Sequence, residues 1–234
     1  MKLIIILFLS IVFLTLVGCD AANMDSETTA SIDDKFISFK DEARFKEQFK
    51  EVAIEYFQKA QTRENHPIIS FGIFTDCDIS GFIFQYNTAE GIQKNIDWTL
   101  QQQKEHPSMF QDAKLDGTPW SIPEWIASEK EAVINQDDDS RIRACFDMMY
   151  YFDEANKGDG FVAYKDKMFD LFCVCLSELK AEGIFKGTAD NFVLLVQECD
   201  NGLYDTRAES LSKILNPTQL QTYTEFCDDY YSFE

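Results

Sequence analysis

Between Val162 and Glu182 the apolar residues Met168, Phe169, Phe172, Cys173, Cys175, Leu176 and Leu179 recur at helical spacing. They make a face too broad for a surface helix, which needs only one stripe. The segment predicts a long central helix, closed at Gly183, against which other elements pack. Whatever else the chain builds must cover that face.

The flanking pattern supplies the cover. From Asp41 to Gln61, Phe45, Phe49, Val52, Ala53, Tyr56 and Phe57 form one apolar stripe of an amphipathic helix, broken at His66-Pro67. Ile68 to Thr75 and Phe82 to Tyr86 are rich in β-branched and aromatic residues, and Asp76–Gly81 between them is turn-like, so the pair predicts a β-hairpin. Asn87, with Glu90 three residues on, predicts a capped helix running to about Glu105 and ending at Pro107. Ser121-Ile122-Pro123-Glu124 opens a short helix through Trp125, and Asp137 to Ser140 caps another from about Arg141 to Ala155. Asn191 to Cys199 reads as a buried strand, followed by helices at about Asp205–Leu215 and Pro217–Tyr230. The order predicts an α+β fold, a small and mainly antiparallel sheet covered by several amphipathic helices.

The N-terminus differs in kind. After Lys2, Leu3 to Val17 is apolar except for Ser10 and Thr15. As a helix it would span roughly 23 Å at ~1.5 Å per residue, short of the ~30 Å hydrocarbon core. This is the layout of a secretory signal peptide over residues 1–18. Leu16-Val17-Gly18-Cys19 directly follows and resembles the lipobox of bacterial lipoproteins, in which the cysteine carries the lipid. Cys19 is therefore expected to be acylated and to tether the chain to a membrane, several acyl chains giving firm anchoring where one gives little. Residues 19–34, polar and without periodicity, are the expected flexible tether, and residues 35–234 a single globular domain. Asp20 resembles an inner-membrane retention signal, which points to the inner membrane within the cell envelope.

Charge narrows the partners. With 41 acidic and 21 basic residues the formal charge is −20. Nucleic acid is excluded as a partner, because phosphates must be met by Lys and Arg. A hydrophobic content of 45% excludes bulk disorder.

Several strings resemble, in order, an uncharacterised bacterial family, the domain of unknown function DUF4303. They are Phe71-Gly72-Ile73-Phe74-Thr75-Asp76, Gly81, Asn87-Thr88-Ala89-Glu90-Gly91, Trp120-Ser121, Glu124-Trp125, Phe152 to Asn156, and Phe192 to Val196. The resemblance covers most of residues 41–200. It implies a fold and little chemistry. Related small acidic domains often serve as immunity proteins beside secreted toxins, and the resemblance carries that hint.

Catalytic signals are sparse. Asp76-Cys77-Asp78-Ile79-Ser80-Gly81 has the opening of a calcium loop, but position 12 is Asn87 and the flanks read as strands, so a polar hairpin turn accounts for it better. Neither cofactor nor metal is expected: C-x-x-C spacing, a P-loop, G-x-S-x-G and H-E-x-x-H are all missing. His66 and His106, the two histidines, each precede Pro in loops and read as solvated. Of the cysteines other than Cys19, most sit in apolar runs like buried thiols; if export allows a disulfide, Cys199 with Cys227, both near element ends, is the expected pair. Trp120 and Trp125 either wedge a helix against the sheet or line a groove for a partner. Tyr150 and Tyr151, near Asp147 and Asp153, either extend such an aromatic-acidic surface or, as the preferred reading, are ordinary half-buried tyrosines on a helix.

The expectation is a lipid-anchored acidic binding module of the envelope, of the immunity type, that captures a basic protein through its negative surface. The alternatives are an envelope enzyme with a carboxylate-based, hydrolase-like site, or an accessory lipoprotein without a catalytic role.

Overall fold

The computed structural model describes residues 38–110, 120, 139–199 and 204–231. The elements are α1 (Glu42–Arg63), β1 (Ile68–Thr75), β2 (Phe82–Thr88), α2 (Ala89–Glu105), α3 (Pro107–Phe110), α4 (Ser140–Asn156), α5 (Phe161–Ala181), β3 (Val193–Glu198), α6 (Tyr204–Leu211) and α7 (Pro217–Tyr231). The expected signal peptide and tether, Cys19 and the expected helix from Ser121 to Trp125 lie outside the described residues.

The fold is α+β. β1 and β2 form the expected hairpin, antiparallel from Ile68↔Thr88 to Thr75↔Phe82. β3 joins the other side of β1 in parallel, from Ser70↔Val193 to Thr75↔Glu198, so the strand order is β2-β1-β3 and the sheet is mixed. A parallel neighbour requires a long crossover, and the chain from Ala89 onward provides it.

Alternation along the strands gives the sheet two faces. One carries Phe71, Ile73, Phe82, Phe84, Tyr86, Leu194 and Val196, all buried. α1 and α5 pack on it through aromatic rings: Phe49 lies 5.2 Å from Phe82, 5.3 Å from Phe84 and 5.5 Å from Phe172 of α5. Phe57 meets Phe71 at 5.4 Å and Phe185 at 4.9 Å, both edge-on. Each such ring contributes roughly 1.5–3 kcal/mol on burial, and each edge-on pair about 0.5–1.5 kcal/mol more. α5 is thus the central helix its sequence predicts. At the surface it is tied to α1 by Lys50, which reaches Glu182 at 2.6 Å and Glu178 at 3.3 Å.

Helix ends show how local sequence sets boundaries. α2 is capped one residue later than the Asn87 expectation. β2 continues extended through Thr88, whose side chain accepts from the Gly91 N–H at 3.1 Å. At the end of α5, Gly183 has φ +77°, its N–H bonds to the Lys180 carbonyl at 3.0 Å, and the Ile184 N–H reaches the Leu179 carbonyl at 3.1 Å. This pair of bonds is the Schellman closure, which needs a left-handed residue. Gly183→Ala is expected to cost about 1–2 kcal/mol from the left-handed conformation alone, measured as a lower urea midpoint with an unchanged slope. Its Cβ would meet only the flexible end of Lys186.

Candidate functional site

The hairpin turn is built by its own polar residues. Asp76 accepts from the Ser80 N–H at 2.7 Å and from the Ser80 hydroxyl, so its carboxylate closes the turn, as the polar-turn reading expects. Ile79 inside it has φ +52° and is fully buried. That is a costly conformation for a β-branched residue, and it is held by the Tyr164 hydroxyl of α5, which donates to the Ile79 carbonyl at 2.7 Å.

Around this turn the fold gathers carboxylates from separate elements. Burial pushes the Tyr164 phenol above its ordinary pKa, and Asp153, Asp76 and Asp78 push it further. Asp153, on the last turns of α4, has its own pKa raised, first by burial and then by Glu154 and Asp78 against the opposing Lys157. Its Oδ1 is buried and accepts no hydrogen bond. Beside it on α4, Tyr150 and Tyr151 are 58% and 70% exposed, with rings 5.6 Å apart and edge-on. Lys157, at the same end, is held by Glu154. The result is an acidic and aromatic surface centred on a half-buried carboxylate, in which a further Lys or Arg side chain would add to the opposite charge that Lys157 supplies.

Elsewhere many of the cations are already paired: Lys46 and Lys50 with Glu178, Lys59 and Arg141 with Glu55, Lys167 with Glu42. Among the described ion pairs the most buried lies at the end of β3, where Glu198, 4% exposed, receives Lys165 at 3.1 Å and Arg207 at 3.2 Å. Arg207 also meets Asp166 and lies 4.8 Å from the centroid of the Phe169 ring. Arg207 Nε is buried there without an acceptor.

The other sequence candidates are placed as follows. Trp120 is half-buried, 6.0 Å from Tyr223 of α7, and its carbonyl accepts from Gln197 at 3.4 Å. Those contacts put it beside β3 and α7, and Tyr150 and Tyr151 lie on α4. Trp125 lies outside the described residues. The expected Cys199–Cys227 pair is corrected: Cys199 is bonded to Cys77, with Cα atoms 5.3 Å apart. β1 and β3 run parallel in register, so the residues that follow them emerge side by side, while Cys227 is a thiol buried in α7. Cys145, Cys173 and Cys175 are also buried thiols, and burial holds all three well above the ordinary thiol pKa, Cys145 and Cys175 at about 12. They are protonated and weak nucleophiles. His66 meets Glu90 at 3.2 Å on the surface, and His106 caps α2. Among the described residues no cluster of His, Cys, Asp or Glu is arranged to hold a metal ion, and no helix is long and apolar enough to cross a membrane.

The sequence placed Asp153 near Tyr150 and Tyr151 but gave no sign that the Asp76–Gly81 turn would join them. A family model described as a domain of unknown function (DUF4303) matches residues 46–217. No curated protein and no solved structure matches the chain.

Proposed function

The chain belongs to the DUF4303 family, and from that premise we propose that it is a lipid-anchored acidic binding module of the bacterial envelope, an immunity-type inhibitor that captures a basic toxin. The observation that carries the reading is Asp153, whose buried Oδ1 has no hydrogen-bond donor and whose neighbours are further carboxylates and two exposed tyrosines. A cationic side chain seated there would relieve the desolvated charge and stack on Tyr150 or Tyr151. The surplus of 20 negative charges steers such a partner and rejects acidic ones. The lipobox Leu16-Val17-Gly18-Cys19 supports attachment through Cys19.

Two outcomes test this. Cys19→Ser is expected to move the protein from the membrane fraction to the soluble one; unchanged fractionation refutes the anchor. Asp153→Asn is expected to weaken capture of a basic toxin by about tenfold, the equivalent of ~1.4 kcal/mol, and high salt is expected to weaken wild-type capture. The same variant has a stability signature. Because the folded pKa of Asp153 is raised, its contribution to stability is full below the ordinary aspartate pKa and is lost as pH rises through the raised value. Asn removes that loss, so urea titrations should show the variant gaining on wild type between acid and neutral pH.

A second reading, a carboxylate-based hydrolase, draws on the same feature, since Asp153, its pKa raised by burial, has the Asp78 carboxylate near it and hydrolases commonly work with two carboxylates. Glycan or peptide hydrolysis abolished by Asp153→Asn would favour it over the inhibitor.

A further inference from the structure

α4 turns two unlike faces to its surroundings. Cys145, Met149 and Phe152 are buried against the core. On the opposite side Asp147, Tyr150, Tyr151 and Glu154 recur three and four residues apart, the spacing of one helix face. All four are exposed, so this outer face is aromatic at its centre and acidic at both ends. The two tyrosine rings lie 5.6 Å apart and are tilted by 68° to each other. With 58% and 70% of their surface in solvent they gain little from the fold, and tyrosines placed this way are common anchors for a partner.

The chain already supplies one cation beside this face. Lys157 pairs with Glu154, and Glu154 first, then Tyr150 and Asp153, hold its ammonium in the charged form. A second ammonium arriving there meets Lys157 as a like charge. Being a compact and strongly hydrated point charge, it also makes little use of the ring faces. A guanidinium differs on both counts. It is planar and weakly hydrated, so it can lie flat on a tyrosine while the N–H groups in its own plane bond a carboxylate. Asp147, one helical turn before the tyrosines and at the end away from Lys157, is the carboxylate in position to accept them.

We propose that the outer face of α4 docks a basic protein partner through an arginine and selects it over lysine. The guanidinium stacks on Tyr150 or Tyr151 and donates to Asp147. This rests on the capture of a basic protein argued above and names the side chain that makes the contact.

The test is calorimetric titration of the full chain in detergent with two peptides of equal charge, acetylated tetra-arginine amide and acetylated tetra-lysine amide. Tetra-arginine is expected to bind at least about fivefold more tightly than tetra-lysine. In the double variant Tyr150→Leu, Tyr151→Leu that preference is expected to fall below about twofold. Both side chains are exposed, so the variant keeps its fold, which an unchanged circular dichroism spectrum checks. Asp147→Asn is expected to weaken tetra-arginine about threefold. Equal affinity of the wild type for the two peptides, an undiminished preference in the double variant, or tetra-arginine binding unaltered by Asp147→Asn would each overturn the proposal while leaving capture of a basic protein standing. Binding of neither peptide would overturn both.

Discussion

Replacing Cys77 and Cys199 together by serine lowers stability by about 4–5 kcal/mol on the chain-entropy account of a cross-link spanning 122 residues. The bridge joins the hairpin turn to the residue that follows β3, and so fastens early and late parts of the chain at the ends of two parallel strands. Native contacts on either side survive the change: the Cys199 N–H still reaches the Thr75 carbonyl at 2.9 Å, and Tyr164 still holds Ile79. The loss therefore comes mainly from a less restricted unfolded chain. Typical domains are stable by only about 5–15 kcal/mol, so the reduced protein unfolds at much lower urea. Both cysteines are exposed, and wild type in reductant should match the double variant. A loss below about 1 kcal/mol would show that the bridge restrains nothing the other contacts do not.

Arg207→Met is expected to cost about 3 kcal/mol, the low end of the range for breaking a buried pair. Glu198 is 4% exposed and Arg207 5% exposed, so the carboxylate cannot regain its water when the guanidinium goes. The low end applies because Lys165 still faces Glu198 at 3.1 Å. Arg207→Lys should recover little, since an ammonium cannot meet Glu198 and Asp166 with a planar fork or lie flat over Phe169. Combining Arg207→Met with Glu198→Gln should cost clearly less than the two single changes added together. An Arg207→Met loss within about 0.5 kcal/mol, the size of a surface pair, would contradict the network.

What the sequence discloses follows from the range of each interaction. The stripe from Phe45 to Phe57, the hairpin around Asp76–Gly81, the broad face of α5 and the closing Gly183 are all legible, because helix and strand periods and caps are set within a few residues. The register of β3 is not. Asn191 to Cys199 reads as a buried strand, but nothing local tells whether it pairs parallel with β1, and the Cys77–Cys199 bond depends on that pairing. The shift of the α2 cap from Asn87 to Thr88 has the same origin, since pairing with Ile68 keeps Thr88 extended. At the candidate site Tyr150 and Tyr151 are visible as aromatics beside acids. Burial of Asp153 is not, because one carboxylate among 41 acidic residues is singled out only by what folds over it.

Parallel pairing of β1 with β3 also sets a clock. β1 leaves the ribosome well before its second neighbour, and at ~5–20 residues per second the intervening stretch takes roughly 6–24 s to appear. Through that interval the hairpin presents an apolar, unpaired backbone edge, the kind of template on which chains of the same sequence associate. Its high contact order slows productive closure further. Yield of this protein is therefore expected to fall where that edge is left uncovered before residues 193–198 arrive.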